Sequence, residues 1–173
     1  MKRLILSRHA KSSWNHPQLR DIDRPLNKRG LRAAPIMGRA LRERDFIPEA
    51  IFSSPSVRTR MTSELLAKEL SFPAEKIEFI DSFYGASPGG IVHFVNQLSD
   101  DLNSIMLVGH NPTWTDLCHR LSGKHLDNLP TSGILIIDFK IDHWSELSHQ
   151  GTIHAQLIPR DFNCGGGSNH ERS

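Results

Sequence analysis

The 173-residue chain has two cysteines, one tyrosine and no long apolar run. Cys118 and Cys164 stand far apart with no CxxC pair, which argues against a disulfide framework or a zinc ribbon. No stretch of about 18 apolar residues is present to cross a bilayer as a helix, so no membrane partner is expected. The first apolar run, Leu4-Ile5-Leu6, is cut off by Arg8 and His9. It is too short for the roughly 7–15-residue core of a signal peptide, and the cytoplasm is the expected location. A large net charge is also missing, at a formal +2. The balance is nevertheless uneven: residues 1–60 hold 14 Lys+Arg against 5 Asp+Glu, and residues 61–173 hold 7 against 14. A basic half of this size fits an anionic partner, whether nucleic acid, a lipid headgroup or a small phosphorylated ligand.

What is present belongs to a globular protein, with 38% hydrophobic and 23% charged residues. The length suits one domain with its own core, here residues 1–162, and monomeric behaviour is the default expectation. From Asn163 the composition turns to Gly165-Gly166-Gly167-Ser168, which predicts a flexible tail over 163–173. Four short apolar runs, Leu4–Ser7, Ala50–Ser53, Ile105–Val108 and Ile134–Phe139, have the length and continuity of strands buried on both faces. Glu78–Ile80 and Ile153–Ile158 read as further edge strands.

Helical spacing lies between these runs, as at Leu31, Ala34, Met37 and Leu41, or Val57, Met61, Leu65 and Leu66. Alternation of the two predicts an α/β fold of three layers: a mostly parallel central sheet with helices on both faces. Ser54-Pro55 and Asn111-Pro112 read as strand-to-helix turns in which Ser54 and Asn111 cap the helix, and Asn27 as a cap whose helix should be kinked or delayed by Pro35.

Ligands of open α/β sheets bind beyond the carboxyl ends of the strands, which makes the residues just after each run informative. Arg8-His9 follows the first run, Ser54 and then Arg58 follow the second, and His110 follows the third. Two arginines and two histidines would thus meet beside two helix N-termini, an arrangement suited to a tetrahedral oxyanion. One neutral imidazole there can accept a phosphoryl group while the other, protonated, stabilises charge on the equatorial oxygens. Trp14, Trp114 and Trp144 read as core or pocket wall, and Cys118 as buried. Arg60 reads as a solvated residue or a partner of Glu64. His143, His149 and His154 match no common zinc spacing.

The segment Leu4-Ile5-Leu6-Ser7-Arg8-His9-Ala10-Lys11-Ser12-Ser13-Trp14-Asn15 resembles the first motif of the histidine phosphatase superfamily, which has the phosphoglycerate-mutase-like fold. Ser54-Pro55-Ser56-Val57-Arg58 is similar to its second motif, and Leu107-Val108-Gly109-His110-Asn111 to its third. Asp23-Arg24-Pro25-Leu26-Asn27-Lys28-Arg29-Gly30 resembles the loop leading to its first helix. The short chain and its Arg-His-Ala-Lys-Ser start look most like the SixA-type phosphohistidine phosphatases.

That resemblance implies a metal-independent phosphohydrolase without a cofactor, with His9 as nucleophile and Arg8, Arg58 and His110 as phosphoryl-binding catalytic residues. It also implies an acid at Asp81, three residues before the Tyr84-Gly85 pair, and substrate contacts from Ser12, Asn15, Lys11 and Tyr84. The expected partner is a phosphorylated substrate, either phosphohistidine or a small phosphate ester, and not nucleic acid. The competing readings are a non-catalytic phosphate-recognition module and a general small-molecule phosphatase or mutase. A mutase must shield its phosphoenzyme from water, and this chain has little sequence for a lid.

Overall fold

The apolar runs become strands of one sheet. In the computed structural model, which describes residues 1–162, these are β1 (Lys2–Arg8), β2 (Ala50–Ser53), β3 (Glu78–Phe79), β4 (Ser104–Gly109), β5 (Ile134–Phe139) and β6 (Thr152–Leu157). Their order across the sheet is β3-β2-β4-β1-β5-β6. Pairing is parallel from β3 to β1 and antiparallel where β5 joins β1 and β6. The tail expected over 163–173 lies outside the described residues.

Side chains alternate across the strands, so each apolar run feeds two cores. Leu4, Leu6, Ile105, Leu107, Leu135 and Ile137 point to one face, where Ile91 and Val95 of α3 (Pro88–Asn96) and Trp114, Leu117 and Leu121 of α4 (Thr113–Ser122) meet them. Ile5, Met106, Val108, Ile134 and Ile136 point to the other, under Met37 and Leu41 of α1 (Lys28–Glu43) and Leu66 of α2 (Val57–Glu69). The result is the expected three-layer, mostly parallel architecture. Full burial of each such Leu, Ile or Met contributes about 1.5–3 kcal/mol.

Several local expectations change. Asn27 does cap α1, accepting from the Gly30 amide at 2.9 Å, but the helix starts at Lys28 and runs through Pro35 without interruption. Ser56, not Ser54, caps α2, accepting from the Thr59 amide, and Ser54 is left free for another partner. Trp14 is 76% exposed; the Arg24 guanidinium lies 3.4 Å from its ring centre, so a cation–π contact takes the place of burial. Arg60 likewise lies over the Phe79 ring, at 3.8 Å.

Register decides where chemistry can occur. Arg8 pairs with Gly109 and Ser53 with Val108, so β1, β4 and β2 end side by side. The backbone continues this alignment past the strands, with the His9 amide donating to Gly109 O at 3.1 Å and the Ser54 amide to Val108 O at 3.0 Å. Antiparallel β5 begins at the same edge, with Ile134 opposite Ser7.

Candidate active site

The three aligned strand ends border a cleft of about 460 Å³, lined by Arg8, His9, Asp21, Arg58, Tyr84 and His110 among others. His9 and His110 face each other with ring centres 5.5 Å apart. His9 is 8% exposed and Arg58, in the first turn of α2, 7%. The amide of Ala10 donates to Thr62 Oγ1 at 3.0 Å, tying the strand end to α2. The amide of Ser132 donates to His9 O at 3.0 Å, tying it to the loop before β5.

Each imidazole is oriented by one hydrogen bond. His9 Nδ1 lies 2.7 Å from Ala10 O. A carbonyl oxygen only accepts, so Nδ1 carries the hydrogen and Nε2 keeps its lone pair. His110 Nε2 lies 2.7 Å from Ser54 Oγ, the partner that became available when Ser54 did not cap α2. Burial lowers both pKa values. That of His9 falls to about 3, with smaller contributions from the Ala10 hydrogen bond, which opposes the shift, and from His110, Arg58 and Arg8, which reinforce it. His110 falls to about 4, pushed down by burial, Arg58 and Arg8 and partly held up by Asp21. Both rings are therefore neutral at physiological pH, which corrects the expectation of a protonated second imidazole: burial and the neighbouring arginines disfavour the charged form of His110.

The arginines are positioned differently. Arg8 Nη1 donates to Leu129 O at 2.9 Å, while its Nε is buried without a hydrogen-bond partner among the described residues. Leu129 O also accepts from Asn111 Nδ2 at 2.9 Å. Asn111 Oδ1 accepts from the Thr115 amide and hydroxyl at 3.1 and 2.9 Å. Arg58 is held by Asp21 through Nη2 to Oδ2 at 2.9 Å and Nη1 to the backbone carbonyl at 2.6 Å.

Of the residues expected at the site, Arg8, His9, Arg58, His110 and Tyr84 come together in the cleft. Asp81, Lys11, Ser12 and Asn15 do not line it. Asp81 is exposed in a 3-10 turn, where its carbonyl accepts from the Tyr84 amide. Ser12 Oγ accepts from Arg24 Nη2, Asn15 is exposed, and Lys11 is half-buried, with its carbonyl taken by the Asn27 amide.

The carboxylate in the cleft is that of Asp21, which lies in a 3-10 turn between β1 and α1. Its only sequence signal was its closeness to the Asp23-Arg24-Pro25 loop. Among the described residues, no group of three or more His, Cys, Asp or Glu is placed to hold a metal ion. None of the described helices is long and apolar enough to cross a membrane.

Two neutral histidines and two arginines at the ends of adjacent parallel strands define a site for phosphoryl chemistry, and the comparisons give that class a family. The profile of the histidine phosphatase superfamily, branch 1, matches residues 4–85. An uncharacterised chloroplastic protein of Arabidopsis thaliana is 33% identical over 153 residues, which cover 84% of this chain and 70% of that relative. This chain belongs to the histidine phosphatase superfamily, and that membership supports a phosphatase activity.

Within that superfamily it is of the SixA type. A structure from Agrobacterium tumefaciens, assigned as the phosphohistidine phosphatase SixA, is 29% identical, with a TM-score of 0.79 over 91% of this chain and 98% of that one. The protein histidine phosphatase SixA complexed with tungstate shares the fold at 21% identity, with a TM-score of 0.80 over 92% and 98% of the two chains.

Proposed function

We propose that the chain is a metal-independent phosphohydrolase that removes a phosphoryl group from phosphohistidine or a small phosphate ester through a covalent intermediate on His9. The hydrogen bond from His9 Nδ1 to Ala10 O carries this reading, because it fixes the tautomer in which Nε2 is free to attack. The lowered pKa of His9 keeps that lone pair unprotonated at neutral pH.

In the proposed step the Nε2–P bond forms as the bond from phosphorus to the leaving group breaks, its electron pair going to the leaving atom, which departs unprotonated as an imidazole nitrogen or a weakly basic oxyanion, and charge builds on the three equatorial oxygens. Arg8 and Arg58 supply fixed positive charge there, and the unpartnered Arg8 Nε is a donor that a phosphoryl oxygen would satisfy. Ser54 holds His110 by Nε2 and leaves Nδ1 for a phosphoryl oxygen. Water then attacks phosphorus as the Nε2–P bond breaks, the electron pair returns to Nε2, both water protons remain on the phosphate product, and His9 is recovered as the same neutral tautomer. With two guanidinium groups on the phosphoryl oxygens, the charge stabilisation often supplied by a divalent cation comes from the protein itself. Asp81, outside the cleft, is given no part in proton transfer. The substrate is a cytoplasmic phosphorylated molecule in this reading, and the chain acts as a monomer.

Rapid quench of the wild-type chain with a phosphorus-labelled substrate is expected to trap an acid-labile, base-stable phosphoenzyme. His9→Ala is expected to abolish both the label and turnover, and EDTA to leave turnover unchanged. Retained turnover in His9→Ala excludes His9 as nucleophile. A folded wild type that turns over no phosphoryl compound favours a phosphate-recognition module instead.

A further inference from the structure

The carboxylate of Asp21 has no role in the phosphoryl chemistry above, yet it is among the most heavily bonded groups in the cleft. Oδ2 accepts from Arg58 Nη2 at 2.9 Å and from the Tyr84 hydroxyl at 2.6 Å, and Oδ1 accepts from Arg24 Nη1 at 2.9 Å. Its donors are themselves fixed. Arg24 is buried, bonded to Ser12 Oγ and Ser13 O and stacked on Trp14, while the Tyr84 ring stands edge-on to His110 with centres 5.6 Å apart.

Two oxygens of a carboxylate offer about four acceptor positions. Three are filled, and the open one is on Oδ1. The side chain is 51% exposed, so the carboxylate is open to the solvent of the cleft that it lines. Arg58 uses two of its five N–H groups on Asp21, one of them on its backbone carbonyl, and its guanidinium also bonds the Tyr84 hydroxyl.

A carboxylate so bonded stays ionised and has no proton to give to an alkoxide. It also places a negative charge in the cleft that must receive a phosphoryl dianion. A phosphate ester brings nothing to lie between the two anions. A phosphorylated imidazolium brings an N–H on the nitrogen remote from phosphorus, and that group is both positive and a donor.

We propose that Asp21 is the residue that selects the leaving group, its open Oδ1 position accepting the remote N–H of a phosphohistidine ring, so that the site discriminates for N-phosphoryl over O-phosphoryl substrates. This inference rests on His9 as the phosphoryl acceptor. The step balances without an external acid. The His9 Nε2–P bond forms, the substrate N–P bond breaks with its electron pair returning to that nitrogen, and the imidazolium that entered departs as neutral imidazole with its remote proton still on the ring. Asp21 orients the ring and favours its protonated form through a charge-assisted hydrogen bond.

The test compares wild type, Asp21→Asn and Asp21→Ser on a phosphohistidine peptide, a phosphoserine peptide and p-nitrophenyl phosphate, whose leaving group departs unprotonated. Wild type is expected to prefer the phosphohistidine peptide to the phosphoserine peptide. Both variants are expected to lose about 10- to 100-fold in kcat/KM on phosphohistidine, and to lose about tenfold less than that on p-nitrophenyl phosphate, where only the bracing of Arg58 is disturbed. The alkaline fall of kcat/KM on the phosphohistidine peptide is expected to move to lower pH in Asp21→Asn, because the ring proton is no longer held.

Equal losses on all three substrates overturn the inference, since Asp21 would then only brace Arg58. Equal gains on all three also overturn it, since Asp21 would then only compete with the phosphoryl group. A phosphoserine preference in wild type does the same. These outcomes are distinct from turnover retained in His9→Ala, which would remove the covalent mechanism itself.

Discussion

Acidification provides a direct measure of the burial of the two cleft histidines. Both have pKa values below that of an unfolded histidine, about 6.5: about 3 for His9 and about 4 for His110. The unfolded chain therefore takes up protons first as pH falls. The full stability is present above about pH 6.5 and declines as pH drops toward the folded values. Between about pH 7 and about pH 5 each histidine should remove about 2 kcal/mol, and the pair about 4 kcal/mol.

Asp21 is held at about 2, and its contribution is lost only as pH falls below the ordinary aspartate range toward that value, outside this window. His143 is raised by Asp100 on the open surface and acts in the opposite direction. Urea denaturation at the two pH values measures the change. His9→Gln should flatten the profile by about 2 kcal/mol, and His110→Gln by a similar amount. A profile that is flat in wild type, or unaltered by both substitutions, refutes the claim that these rings are buried and neutral.

Gly109 precedes His110, and a Cβ there would lie 2.2 Å from the Trp114 ring. Gly109→Ala is therefore expected to lose about 1–3 kcal/mol or more in chemical denaturation and most activity, because Trp114 or the strand end must move. Asn111→Ala removes the amide that clamps Leu129 O, and with it a constraint on Arg8. It should lower kcat/KM about tenfold, with phosphate inhibition weakened in parallel, while costing about 1 kcal/mol in stability. Unchanged phosphate inhibition would separate the loop from Arg8.

The fold was legible because buried parallel strands have the plainest pattern. The runs Ala50–Ser53 and Ile134–Phe139 coincide with β2 and β5, and nearly continuous apolar sequence marks a strand covered on both faces. Residues at strand ends were legible for the same reason: once the strands are placed, the register brings Arg8, His9, Arg58 and His110 together. Asp21 was not, because it sits in a polar loop and meets Arg58 across 37 positions of sequence, where no periodicity operates. Asp81 shows the opposite error. The spacing that placed it at the site holds for Tyr84, which enters the cleft, while the 3-10 turn at Asp81–Phe83 leaves the acid outside. Ser54 read as a cap because serine before proline usually is one. The helix begins two residues later, capped by Ser56, and Ser54 bonds His110 instead.

The reversed direction of β5 has one more consequence. Because it runs against β1, its first residues rather than its last lie at the cleft, and the Arg8 amide donates to Gly133 O at 3.0 Å. The stretch between Ser122 and Leu129 therefore arrives at the rim before strand pairing begins. Residues added or removed there would leave the hydrogen-bonding register of the sheet as it is, and the floor too wherever Leu129 O keeps its bonds to Arg8 and Asn111. The rim is thus the part of this design free to diversify, so that one phosphoryl-transfer floor can serve chains that accommodate molecules of very different bulk.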